Sequence, residues 1–117
     1  MSKLKEKIKS AQDIRTELIT IPEWDMSIEV RTMRAIDRAR VLKNCVDNSG
    51  KVIGEKFQAG LVIASCYDPE TKERIFDDED FDLLMEKAAG PVELLAGTAM
   101  SLSGLTRDTM TGAEKNS

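Results

Sequence analysis

The stretch from Lys56 to Tyr67 constrains the fold more than any other part of the chain. Phe57, Leu61, Val62, Ile63 and Cys66 crowd together so closely that no single helix or strand face can carry them all. A segment apolar on most sides must be buried on most sides, so the other elements have to wrap around it. Its length favours a helix, while the β-branched pair Val62-Ile63 leaves a strand open. The wrapping has to come from a chain of 117 residues, enough for one domain that buries roughly two-thirds of its unfolded surface. With 41% hydrophobic and 32% charged residues, the composition suits a core with a solvated surface and argues against global disorder.

The flanking segments supply the wrapping. Leu18 to Ile21 is β-prone and stops at Pro22, and after Glu23-Trp24-Asp25 the residues Ile28, Val30 and Thr32 alternate with Ser27, Glu29 and Arg31. This pattern predicts an antiparallel hairpin with Trp24, the single tryptophan, at its turn. From Arg34 onward Ala35, Ile36, Ala39, Leu42 and Val46 recur at helical spacing, until Asp47-Asn48-Ser49-Gly50 stops the helix. Asp68-Pro69-Glu70-Thr71 reads as a turn. Asp78 then starts a helix through Phe81, Leu84, Met85 and Ala88, and Gly90-Pro91 ends it and begins another that runs to Gly104. The expected fold is α+β: an N-terminal β-hairpin packed on a mostly helical body with a C-terminal helical hairpin. Residues 1–15 form a basic, partly mobile arm, 16–105 the domain, and 106–117 a polar C-terminal tail.

Several chemistries drop out. The chain has no histidine, which removes Ser-His and Cys-His nucleophiles and His-ligated metals. Cys45 and Cys66 are separated by twenty residues and form no CxxC pair, so they read as two free, buried thiols. The acids from Asp77 to Asp82 invite a divalent-cation or nuclease reading, but their spacing lacks the glycine and terminal glutamate of a calcium loop, and a helix start accounts for them. No phosphate-binding glycine motif, secretory signal or membrane-spanning segment is legible, so a cytoplasmic protein without cofactor, metal, membrane or nucleic-acid partner is expected.

Charge is unevenly spread. Residues 1–56 carry net +3 and residues 57–117 net −7, an asymmetry that suits steering of a partner or self-association. Trp24 together with Arg31, Arg34 and Arg38 is the candidate partner-binding set, because aromatic and arginine side chains dominate binding hot spots. The opposing expectation is that Trp24 plugs the core and the arginines pair with Glu29 and Asp37.

The order and wording of the elements carry a resemblance. It rests on Ile21-Pro22-Glu23-Trp24, the strand ending in Arg31, the two helices, Ile75-Phe76-Asp77-Asp78-Glu79-Asp80, Leu102-Ser103-Gly104-Leu105 and the terminal Glu114-Lys115-Asn116. Over roughly residues 17 to 116 the chain resembles the tail assembly chaperones of long-tailed bacteriophages and prophages, of siphovirus or myovirus type. The resemblance implies a non-enzymatic protein that coats the tape measure protein until tail-tube subunits polymerise around it, and that is absent from the finished virion. A contact with the tail-tube protein and a longer frameshifted product are further implications. A structural tail or head–tail connector protein is the nearest alternative.

Overall fold

The computed structural model describes residues 2–104. The hairpin forms as its alternation demands: β1 (Thr16–Ile21) pairs antiparallel with β2 (Met26–Arg31), in a register that sets Ile19 opposite Ile28 and Ile21 opposite Met26. Ile21, Ile28 and Val30 are buried on the core face. On the other face the Thr20 and Ser27 hydroxyls share a 3.0 Å hydrogen bond. Pro22 to Trp24 make one 3-10 turn, closed by Asp25, which adopts the left-handed region (φ 51°) and donates its N–H to the Pro22 carbonyl at 3.1 Å. Aspartate tolerates that region better than most residues, which explains its place at a sharp turn.

α2 (Ala35–Asn44) starts where the Asp37 carboxylate accepts the Arg34 backbone N–H at 3.2 Å, half of a capping box. It ends ahead of a loop in which Asp47 Oδ1 accepts from the Ser49 N–H, the Ser49 hydroxyl and the Lys51 N–H. α3 (Gly54–Ser65) is the apolar segment, and Ala59, Leu61, Val62, Ile63 and Ala64 are all buried. It packs on α2 and on two later helices, Phe81–Met85 and Ala89–Leu102, which is the wrapping its composition required. A Cβ on Gly60 would lie 3.0 Å from both the Cys45 Sγ and Val41 Cγ1, so α2 and α3 touch almost backbone to side chain. After α3 the chain adds a third strand, β3 (Cys66–Tyr67), antiparallel to β2, giving sheet order β1-β2-β3.

The acidic run caps a 3-10 turn (Asp78–Asp80), with the Asp77 N–H donating to Asp80 Oδ2 at 2.7 Å. The cap is therefore Asp77, and the α-helix that follows, α4 (Phe81–Met85), is shorter than the spacing from Asp78 to Ala88 predicts. Leu84 is the only residue of α4 that is fully buried, and once it is seated the chain turns into the last helix. α5 (Ala89–Leu102) holds Pro91 within its first turn, where a missing N–H costs nothing, and buries Val92, Leu95, Ala96 and Ala99. It ends ahead of Gly104, whose φ of 69° suits glycine.

The buried apolar residues run from Ile21 to Ala99 and form one core. Ahead of it, α1 (Lys3–Ser10) is capped by Ser2, whose Oγ accepts the Leu4 N–H, and buries none of its residues. The expected polar tail at 106–117, with Leu105, lies outside the described residues.

Candidate partner-binding site

The turn end of the hairpin opens into an apolar cleft of about 360 Å³. Trp24, Met26 and Ile28 come from the hairpin, Ile75 and Phe76 from the connection after β3, and Leu83, Leu84 and Lys87 from α4 and the turn beyond it. Ile28 and Leu84 form a buried floor. Met26, Ile75 and Leu83 stand 51%, 40% and 44% exposed, which is high for large apolar side chains gathered in one place. Trp24 is half-buried against the core and forms a wall, so it neither plugs the core completely nor projects freely. Lys87 is the one ionisable lining residue, while the exposed acids Glu23, Asp25, Asp77, Asp82 and Glu86 are chain neighbours of lining residues. The surface is built to bury apolar side chains.

Arg31 belongs to the opposite end. β2 separates it from Trp24 by about 17 Å at ~3.3 Å per residue, so the tryptophan and the arginines do not form one patch. The Arg31 Nε donates to Glu29 Oε2 at 2.7 Å and its guanidinium stacks 3.8 Å from the Tyr67 ring centroid. Lys72 Nζ donates to Glu29 Oε1 at 2.9 Å. The Lys72 and Arg31 hydrogen bonds hold the Glu29 carboxyl below the usual glutamate range, against the opposing effect of burial. The same end is tied to α5: the Thr32 hydroxyl donates to the Leu102 carbonyl at 3.3 Å, and the Met33 N–H donates to Ser103 Oγ at 3.0 Å.

Arg34 forks onto Asp37 through Nε and Nη2 at 3.1 and 3.2 Å. Burial pushes the Asp37 carboxyl up, but the Arg34 hydrogen bonds and the Arg34 and Arg74 charges together leave it lowered. Arg38 is exposed, and no ion pair among the described residues engages it. Arg31 and Arg34 thus serve local structure.

A second crevice of about 440 Å³ lies between α2 and α3, with Val41, Gly60 and Ala64 beneath and Arg40, Lys56 and Arg74 at its mouth. Its cations are partly engaged within the chain: Arg74 Nη2 donates to the Ile63 carbonyl at 2.9 Å, and Lys56 Nζ stands 5.9 Å from the Phe81 ring centroid. Cys45 lines it but is buried, donating Sγ–H to the Lys56 carbonyl at 3.1 Å, and burial raises its pKa. Cys66 is fully buried, which pushes its thiol up to about 12.

Sequence reading missed the cleft because Ile75-Phe76 has no periodic partner in its own polar stretch. The legible signal was there in isolation: two adjacent apolar residues between Arg74 and Asp77 with no strand or helix to bury them.

The chain matches no protein-family model and no curated protein. Among solved structures it is similar to one described as "Structure of bacteriophage HK97 tail assembly chaperone". The TM-score is 0.62 at 18% identity, over 87% of this chain and 95% of that one. The α+β architecture expected from the sequence is thus the fold of a phage tail assembly chaperone.

Proposed function

We propose that this protein is a non-enzymatic tail assembly chaperone of a phage or prophage. It holds the tape measure protein in the host cytoplasm until the tail tube closes around it. Support comes from a fold shared along nearly the whole length of a tail assembly chaperone, and the observation that carries the reading is the open apolar cleft at Trp24. A long helix with an unpaired apolar stripe aggregates in water, and a groove that covers part of the stripe keeps it soluble. Such helices dock by anchors spaced three or four residues apart, which suits a cleft walled by Trp24, Met26 and Leu83. Of the four residues selected from sequence, Trp24 belongs to this surface and Arg38 lies outside it.

Co-expression with the long helical protein encoded nearest to it tests the reading. The client is expected to remain soluble and to co-purify with the chain, and Met26→Asp with Leu83→Asp is expected to leave a folded chain that captures none. Persistent capture by that variant removes the cleft from the reading. Mass spectrometry of purified particles that finds the chain in stoichiometric amount replaces the chaperone with a structural tail or connector protein.

A further inference from the structure

α1 is an amphipathic helix that buries none of its residues among the described part of the chain. Leu4 and Ile8 stand 69% and 74% exposed, one turn apart, and Lys3, Lys5, Lys7 and Lys9 surround them. The cleft at Trp24 is its complement in apolarity: Lys87 is the one ionisable residue that lines it, and the exposed acids Glu23, Asp25, Asp82 and Glu86 sit next to lining residues along the chain. We infer that the basic arm of one copy docks in the apolar cleft of a second copy, with Leu4 and Ile8 as anchors. This goes beyond the client reading and does not need a client.

Geometry favours a second copy over the chain's own arm. Arg15 is fixed at the far end of the hairpin, where its carbonyl accepts the Thr32 N–H at 2.9 Å. From there β1 leads away from the arm for about 20 Å before reaching the turn. The link from Ser10 to Arg15 spans at most about 17 Å when fully stretched, so self-docking would demand a taut chain folded back over the β1 edge. A neighbouring molecule brings its arm without that constraint. The charges agree, since the arm lies in the positive half of the sequence and α4 in the negative half. Arm and cleft are different surfaces, so each copy can both give and receive, and association does not stop at two. A client helix and the arm need the same cleft and therefore compete.

Sedimentation equilibrium of the purified full chain, with no client present, is the test. At low salt the mass is expected to exceed the monomer and to rise with concentration, and added salt is expected to lower it. Leu4→Asp with Ile8→Asp in one variant is expected to weaken association by about 100-fold or more, and Leu83→Asp in another by about tenfold or more, as removing two and one buried aliphatic side chains implies. All three positions are exposed in the single chain, so circular dichroism should stay unchanged. Mixing the two variants pairs one intact arm with one intact cleft and should restore a 1:1 dimer, with a shift in Trp24 emission. A wild-type chain that stays monomeric at every concentration, either variant associating like wild type, or two folded variants that fail to pair would each overturn the inference. Any of these results leaves client capture to be judged by its own experiment.

Discussion

The two ends of the hairpin are made from the same pair of strands and treated in opposite ways. At the far end Glu29, Arg31, Lys72 and Tyr67 interlock, and Thr32 and Met33 are bonded to the end of α5. At the turn end Trp24, Met26, Ile75 and Leu83 leave apolar surface facing water. Polar groups that satisfy one another inside a chain have little left to offer a partner, whereas uncovered apolar area is a standing driving force for association. Arg31 and Arg34 at the far end are engaged by Glu29, Tyr67 and Asp37, while Arg38 stands exposed without an ion pair among the described residues.

The comparison can be broken or sharpened by substitution. Leu84 lies beneath the cleft and is 2% exposed, so Leu84→Ala is expected to cost about 2 to 4 kcal/mol in denaturant unfolding. A cost near zero would mean that α4 is not anchored to the core, and the cleft would lose its floor. At the other end, Glu29→Gln weakens two charge-assisted hydrogen bonds and should cost about 1 to 2 kcal/mol at neutral pH. The sign with pH follows from the lowered carboxyl. Its contribution is complete above the ordinary glutamate value of 4.5 and disappears as pH falls through the lower folded-state value. The wild type and the variant should therefore converge in acid, and a gap that persists there would show that the loss is one of packing.

Met26→Ser with Leu83→Ser should cost about 1 to 2 kcal/mol, since each side chain is half exposed and loses only the buried half of its apolar surface. The same double change is expected to reduce client capture by at least about tenfold. The smallest effect is expected from Arg38→Glu, which should alter neither unfolding by more than about 0.5 kcal/mol nor capture in a pull-down. Lost capture in that variant would move the docking surface to the arginine end and reverse the comparison.

What was legible in the sequence follows the range of the forces involved. The hairpin, the stop at Asp47-Asn48-Ser49-Gly50 and the buried α3 are written in neighbouring residues, through alternation, turn chemistry and continuous apolarity. β3 was missed because two residues, Cys66 and Tyr67, are too few to show a period and are strand only because β2 lies beside them. α4 is shorter than its apolar stripe, which continues past Met85 to Ala88, because the chain turns at Glu86 and Lys87 before α5, which packs on α3. The cleft escaped for the same reason: Trp24, Phe76 and Leu83 are more than fifty residues apart at the extremes, and only the tertiary fold brings them together.

The burial of both cysteines has a practical side. Cys45 is closed in between α2 and α3, and Cys66 keeps its proton until the solution is strongly alkaline. At neutral pH neither offers an accessible thiolate, the form that reacts with alkylating reagents or oxidants. The native chain is therefore a silent background for thiol chemistry. A single cysteine placed at Met26 or Leu4 would be the one reactive handle on the folded molecule, and a fluorophore or cross-linker attached there would report on the cleft or on the arm alone.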